Sequence, residues 1–116
     1  MGGKRRPKQQ QEPRRESKPE RTVLEMPRFT RNKKRLVPKA QLAVDEAVKA
    51  ILADPLAGEP KSGALRTIRV VKFKVGPQQL LLAYKFDDTR NIIEAWAIGP
   101  HENFYRDLQE YMDARS

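Results

Sequence analysis

The sequence has no cysteine and only one histidine, and these two scarcities exclude several kinds of site. Without cysteine the chain forms neither disulfide bonds nor thiolate metal sites, and the redox state of its compartment stays open. A single histidine argues against a structural zinc site. We therefore expect a protein whose function needs no metal ion and no small-molecule cofactor.

Long apolar stretches are missing as well. No apolar run approaches the roughly 18 residues that are needed to span a bilayer, and the basic first residues lack the apolar segment of a secretory signal. We therefore expect a cytoplasmic protein that has no membrane partner. The 116 residues are enough for one domain of ordinary size.

Positive charge is what the sequence has in excess. Its 24 Lys and Arg residues outnumber 15 Asp and Glu residues, which gives a net charge of +9 at pH 7. Residues 1–22 hold eight of the basic residues and three of the acidic ones, so a charge of +5 lies there. Such an excess favours contact with nucleic acid or another polyanion. For the N-terminal residues, a role in solubility alone is the alternative.

Residues 1–20 consist almost entirely of Gly, Pro, Gln, Lys, Arg, Glu and Ser. They carry too little apolar surface to offset the entropy of ordering, which predicts a disordered basic N-terminal tail. Residues 21–116 then form the folded domain.

Hydrophobic periodicity predicts the elements of this domain. Helical segments show apolar residues three and four positions apart, and strands are short runs rich in β-branched or apolar residues. The expected fold is α+β, with a small, mostly antiparallel sheet, two N-terminal helices and a C-terminal helix in the order β-α-α-β-β-β-α. The predicted strands are residues 22–26, 68–75, 79–86 and 92–98, the predicted helices are 27–36, 39–53 and 104–112, and residues 56–64 form a predicted loop.

Lys72 and Lys74 lie two residues apart on a predicted strand, so their side chains point to the same side. Their separation of about 6–7 Å along the strand is close to the repeat of a phosphodiester backbone. A solvated strand face that carries lysines for solubility is the alternative. Further candidates for RNA binding are the cations that precede this strand and two from the basic helix: Lys61, Arg66, Arg69, Lys33 and Lys34.

His101 lies where the last predicted strand ends and the last helix begins. Imidazole exchanges a proton near neutral pH, so His101 is a candidate general acid or base, and capping of the helix is its alternative role. Tyr105 follows four residues later, on the same helix face. It could stack on a base or donate a hydrogen bond to phosphate, or it could simply pack the helix on the sheet.

Three segments within residues 21–112 together resemble one protein family. They are residues 27–30 (Pro-Arg-Phe-Thr) with the basic helix after them, the run from 54–58 to 71–75, and the stretch from Gly99 to Leu108, Gly-Pro-His-Glu-Asn-Phe-Tyr-Arg-Asp-Leu. The last segment is the most specific of the three. The chain resembles the RelE/ParE superfamily of toxins from bacterial type II toxin–antitoxin modules.

For the RelE branch, the resemblance implies metal-independent cleavage of messenger RNA in the ribosomal A site, with a 2′,3′-cyclic phosphate product. It implies that Lys72 and Lys74 match the lysine pair of the second strand. His101 falls where RelE has an arginine and YafQ-like relatives have a histidine, and Phe104 or Tyr105 matches the aromatic position of the last helix. One segment departs from the pattern, because the next strand reads Leu-Leu-Leu at 80–82 where RelE has an arginine.

The resemblance also implies partners, namely a cognate antitoxin, the ribosome and messenger RNA. We expect the antitoxin to bind apolar surface residues, with Phe29, Leu36 and Tyr111 as candidates. The alternative function is that of a ParE-like, non-enzymatic inhibitor of DNA gyrase, and an unrelated basic RNA-binding module is a third. His101 together with the lysine pair favours the endoribonuclease.

Overall fold

The computed structural model describes residues 20–115, which form one five-stranded sheet with an apolar core on each face. The predicted disordered tail lies outside the described residues, apart from Glu20. No helix within residues 20–115 is long and apolar enough to cross a membrane. The strands are β1 (Thr22–Glu25), β2 (Glu59–Pro60), β3 (Arg69–Val75), β4 (Gln78–Asp87) and β5 (Ile92–Gly99), and the helices are α1 (Pro27–Lys34), α2 (Pro38–Ala53) and α3 (Phe104–Arg115).

The strands follow the order β1-β5-β4-β3-β2 across the sheet. Neighbouring strands are antiparallel except for β1, which runs parallel to β5. The predicted α+β class and the order β-α-α-β-β-β-α are therefore confirmed. The structure adds two elements to that prediction. The two-residue strand β2 and a 3₁₀ helix at Gly63–Leu65 lie within or at the end of the segment that is predicted to be a loop.

Helices α1 and α2 pack on one face of the sheet. Each begins at a proline, which fits the first helical turn because its missing N–H would have no partner there. Helix α2 ends at Ala53, since Pro55 disfavours a helical conformation at Asp54. The core on this face joins Phe29, Val44 and Ile51 of the helices to Leu80, Leu82 and Tyr84 of β4.

Helix α3 packs on the opposite face. Its buried residues Phe104 and Leu108 share a second core with Leu81 and Ala83 of β4. Alternate residues of β4 thus enter opposite cores, and the run from 80 to 84 has no solvent exposure at all. Burial on both faces explains why the segment 80–82 is uniformly leucine and carries no charge.

Tyr84 fixes the segment between α2 and β2. Its buried hydroxyl donates a hydrogen bond to the carbonyl oxygen of Pro55 (2.8 Å) and accepts one from the N–H of Gly58 (2.8 Å). Any side chain at position 58 would collide, because a Cβ there would lie 2.8 Å from the Tyr84 ring. Burial raises the pKa of Tyr84 more than the Gly58 N–H lowers it, so the phenol stays neutral to a higher pH than an exposed tyrosine does.

The apolar surface differs from the one we expected for antitoxin binding. The prediction for Phe29 is wrong, because this ring is fully buried between α1 and the sheet. Leu36 and Tyr111 are half-buried and contact the two cores. Among the described residues, the large apolar side chains that are exposed are Leu24, Val37, Leu42 and Leu56.

Candidate functional site

The strand order brings His101 and the lysine pair to the same end of the sheet. Strands β3 and β5 are both antiparallel to β4, so their C-terminal ends lie at the same end of the sheet. Lys72 is paired with Leu81, and Leu81 is paired with Gly99, so these three residues share one face. Two strand spacings separate Lys72 from Gly99, about 10 Å. His101 follows Gly99 by two residues and therefore lies near this end of the sheet.

The lysine pair lies on the face that α3 covers only in part. Leu81 is buried beneath Phe104 and Leu108, whereas Lys72 and Lys74 on the same face are exposed. The C-terminal part of β3 is therefore open to solvent on this face. The ammonium groups of Lys72 and Lys74 can both contact an anionic chain that crosses this part of β3.

Tyr105 lies between His101 and Lys61. Its ring centre is 5.7 Å from that of His101, and the two rings meet edge to face at 82°. The Lys61 Nζ lies 4.9 Å from the centre of the same ring. Tyr105 is half-buried while His101 is exposed, so the tyrosine forms a fixed support on which a mobile charged or aromatic group can pack.

A tight turn orients His101. The residue Asn103 has a positive φ of 57°, and the N–H of Phe104 donates to the His101 carbonyl oxygen (3.0 Å). Within residues 20–115 the imidazole makes a ring contact with Tyr105 and no hydrogen bond. The alternative of a helix-capping histidine therefore has no hydrogen bond to support it, and the His101 residue is exposed to solvent.

Glu59 is a member of this group that our reading of the sequence missed. Its Oε1 lies 3.4 Å from the Lys61 Nζ, and its pairing with Val70 places it on the same face as Lys72. The sequence predicts a loop here, and β2 forms only because β3 is present to pair with it. The sequence does hold a signal, since Glu59 is the only acidic residue between Asp54 and Asp87.

Glu59 and Tyr105 together control the charge of Lys61. Burial alone would lower the pKa of Lys61, but the Tyr105 phenol and the Glu59 carboxylate outweigh that effect and raise it above 10.5. The shift reinforces a positive charge that Lys61, like any lysine, carries at physiological pH in any case. The carboxylate and the ring hold its ammonium group beside Tyr105 rather than letting it extend into solvent.

Four other predicted RNA-binding residues do not join this group. Arg69 pairs with Tyr84 and so faces the α2 side, where its guanidinium donates to the carbonyl oxygens of Leu56 (3.1 Å) and Gly58 (2.8 Å). The remaining three are spread over the surface: Arg66 is exposed at the turn before β3, while Lys33, which is paired with Asp45, and Lys34 belong to α1 on the opposite face.

The chemistry of the group is that of acid–base groups among cations. One imidazole, one phenol, one carboxylate and three ammonium groups lie on one face of the sheet. Such a set can transfer a proton and stabilise negative charge on a phosphate. Within the described residues no cluster of three or more His, Asp or Glu side chains has the arrangement of a metal site.

The sequence matches a described protein family. A family model for the ParE-like toxin of type II bacterial toxin–antitoxin systems matches residues 23–109, which include every member of the group above. No curated protein matches the chain.

The fold is similar to solved toxin structures. The RelBE2 toxin–antitoxin complex from Mycobacterium tuberculosis has a TM-score of 0.62 at 22% identity, over 70% of this chain and 98% of that chain. A mutant of the E. coli toxin RelE in the free state has a TM-score of 0.65 at 12% identity, over 82% and 96%. The intact E. coli RelBE toxin–antitoxin complex has a TM-score of 0.61 at 13% identity, over 71% and 98%. These similarities concern the fold.

Proposed function

Since the chain belongs to the ParE-like toxins of type II bacterial toxin–antitoxin systems, we propose that it is a ribosome-dependent endonuclease of messenger RNA that stops translation. The observation that carries this proposal is the approach of His101, Tyr105 and Lys61 on the sheet face that also bears Lys72. A toxin that only blocks a protein partner needs no proton-transfer group among cations. The resemblance to RelE, and the likeness to RelE structures, support an RNA target.

In the proposed reaction, the 2′-hydroxyl of one nucleotide attacks the adjacent phosphate. The bond from phosphorus to the 5′-oxygen of the next nucleotide breaks, and a 2′,3′-cyclic phosphate remains. One proton leaves the 2′-hydroxyl and one reaches the 5′-oxygen, so the reaction needs no further reactant. His101 is the candidate for a proton transfer. Lys72 and Lys74 stabilise the negative charge of the crowded phosphorus centre.

Tyr105 and Lys61 bind the RNA strand in this proposal. The exposed side of the Tyr105 ring offers a surface on which a base can stack, and stacking does not require a particular base. Lys61 is positive at physiological pH as any lysine of ordinary pKa is, and Glu59 and Tyr105 shift its pKa further upward. It therefore contributes a phosphate contact whose strength does not change with pH in the physiological range.

The test is a translation reaction with purified ribosomes, a reporter messenger RNA and the full-length protein. We expect cuts inside translated codons, with cyclic phosphate on the upstream fragments, and no cuts with His101→Ala. The matched control is Lys49→Ala, an exposed residue of α2 on the opposite face of the sheet, which should cut like the parent. Growth arrest in cells whose messenger RNA stays intact would contradict the proposal.

Inhibition of DNA gyrase is the second candidate function. Two observations favour it, namely the family model, which is that of ParE-like toxins, and the lack of an exposed cation on β4 between residues 80 and 84. A supercoiling assay with purified gyrase separates the two functions. Loss of supercoiling at protein concentrations that leave messenger RNA intact would establish the second function and exclude the first.

An antitoxin is the expected protein partner. Two of the similar structures are toxin–antitoxin complexes, from Mycobacterium tuberculosis and E. coli. The exposed apolar side chains Leu24, Val37, Leu42 and Leu56 belong to different elements, so an antitoxin that covers several of them has to wrap around the domain. Production of the chain alone, at high level and without harm to a bacterium, would count against this partner.

A further inference from the structure

A small cleft lies along the outer edge of β5. Strand β1 pairs only with residues 92–95 of β5, and beyond that point α1 lies beside the strand instead. The side chain of Asn32 accepts a hydrogen bond from the N–H of Ile98 (3.1 Å), which fixes α1 at this edge. Between α1 and the turn that leads into α3, a cleft of about 210 Å³ remains.

The walls of the cleft combine an apolar surface with charges of both signs. The lining includes Phe104, Gly99 and Arg28 of α1, together with Glu102 and Asp107 from the turn and the first helical turn of α3. The Arg28 guanidinium is held 5.2 Å above the Tyr111 ring. Arg28 and Asp107 are both half-buried, so their orientation is restricted.

Size and charge together define the kind of ligand. Drug-sized ligands occupy sites of roughly 300 Å³ or more, so this cleft suits one flat ring system rather than a whole nucleotide. The two carboxylates repel a phosphate group, which must therefore stay outside. What fits is a planar group that stacks on an aromatic surface, offers donors to a carboxylate and offers acceptors to a guanidinium.

We propose that this cleft binds a guanine base. The N7 and O6 atoms of guanine form a pair of acceptors that an arginine binds in a bidentate manner, and Arg28 is the arginine that lines the cleft. The N1–H and N2–H groups form a pair of donors, and a carboxylate accepts both, which is the role of Asp107. Adenine and uracil have neither of these two pairs, and cytosine lacks the pair of donors.

The cleft adjoins the candidate RNA site at the turn that carries His101. Gly99 lines the cleft. It lies two strands away from Lys72, at a distance of about 10 Å. A base in the cleft would therefore belong to a nucleotide one or two positions from the phosphate held by Lys72. Only this placement within RNA rests on the proposed function, because recognition of the base does not require cleavage.

The first experiment measures binding of single nucleotides to the full-length protein. GMP, AMP, CMP and UMP are titrated while the backbone amide signals of Gly99 and Phe104 are followed by NMR. We expect the Kd for GMP to be lower than that for AMP by roughly tenfold or more, since one bidentate contact discriminates between bases by about this factor. Equal Kd values for GMP and AMP, or shifts confined to other parts of the chain, would overturn the proposal.

Two conservative variants test the assigned contacts. Asp107→Asn keeps the shape of the side chain but replaces one of its two acceptor oxygens with a donor NH2 group. Arg28→Lys keeps the positive charge but loses the planar guanidinium that donates two parallel hydrogen bonds. Both should lose the preference for GMP over AMP. Exposed residues one turn away on the same helices provide the matched controls, Glu110→Gln on α3 and Arg31→Lys on α1, and these should keep it. Retention of the preference in Asp107→Asn would refute the role of this carboxylate.

The outcome for RNA separates this inference from the proposed function. Preference for GMP without any cleavage of messenger RNA would support the guanine site and contradict the proposed nuclease activity. Cleavage at sites that show no enrichment of guanine near the cut would support the nuclease activity and contradict the guanine site. In the parent we expect guanine enriched within two nucleotides of the cut, and in Asp107→Asn we expect that enrichment to disappear.

Discussion

At the scale of single residues, His101 carries the only imidazole of the chain and lies on an exposed turn beside Tyr105. His101→Ala removes no buried contact, so the domain should fold normally while the single-turnover rate of RNA cleavage falls by roughly 10²–10⁴-fold. The rate is measured on ribosome-bound messenger RNA, and circular dichroism checks the fold. A variant that cleaves at the parental rate would show that the proton transfers belong to another group.

The buried hydroxyl of Tyr84 leads to a prediction about the free energy of unfolding. Tyr84→Phe leaves the Gly58 N–H and the Pro55 carbonyl without their partner, and we expect the free energy of unfolding to fall by about 2 kcal/mol. Because the folded-state pKa of Tyr84 is raised, its contribution is complete below pH 10.0 and is lost as the pH rises toward the folded-state value. Denaturant titrations on both sides of pH 10.0 should therefore show an alkaline loss of stability that is smaller in the variant.

The control for Tyr84 is Tyr111→Phe. The Tyr111 hydroxyl is at the surface, where it accepts a long hydrogen bond of 3.4 Å from Arg115. Its removal should change the free energy of unfolding by much less than the removal of the Tyr84 hydroxyl. Equal losses in the two variants would mean that the Tyr84 hydroxyl does not fix the segment between α2 and β2.

At the scale of elements, the alignment of β3 with β5 determines which cations act together. Lys72→Ala combined with Lys74→Ala should lower the cleavage rate by roughly 10²-fold or more at saturating RNA, because these charges are assigned to the transition state. A matched double variant, Lys34→Ala with Lys39→Ala, removes the same charge from exposed positions of α1 and α2 on the other face. It should weaken binding of RNA at most and leave the saturated rate unchanged.

Elements with a strong internal pattern could be predicted from the sequence, and elements that depend on a distant partner could not. Helix α2 and strands β3, β4 and β5 follow from their periodicity, and their observed bounds differ from the predicted ones by one or two residues. Strand β2 has two residues and no pattern of its own, since it exists through its pairing with Val70 and Arg69. Glu59 was missed for the same reason.

Strand order was the second property beyond the reach of the sequence. The pattern of residues 22–25 indicates a strand but not that it pairs in parallel with β5. The same limit applied to the candidate site. The alternation of residues 71–75 puts Lys72 and Lys74 on one side, but only the register through Leu81 to Gly99 brings that side to the turn of His101.

At the scale of the whole molecule, the chain has two sources of positive charge that we expect to act differently. Residues 1–19 contain seven basic and two acidic residues, a net charge of +5, which leaves +4 of the total +9 for the rest. Near the start of the described residues, the Arg21 guanidinium donates to Asn91 Oδ1 (2.9 Å) and to the Leu52 carbonyl oxygen (2.7 Å). This anchor lies at the N-terminal end of β5, about 26 Å along the strand from the turn of His101.

Deletion of residues 1–19 should therefore change binding and not chemistry. The anchor at Arg21 and both cores remain, so the domain should fold and cleave saturating RNA at the parental rate. The Kd for RNA should rise, most strongly at low salt, and the dependence of log Kd on log salt concentration should become shallower, because each lost phosphate contact removes its share of released counterions. Binding isotherms at several salt concentrations and single-turnover cleavage measure the two effects separately. A deletion variant that binds RNA like the parent but no longer cleaves it would mean that the tail, and not the face of Lys72 and His101, contributes the reacting groups.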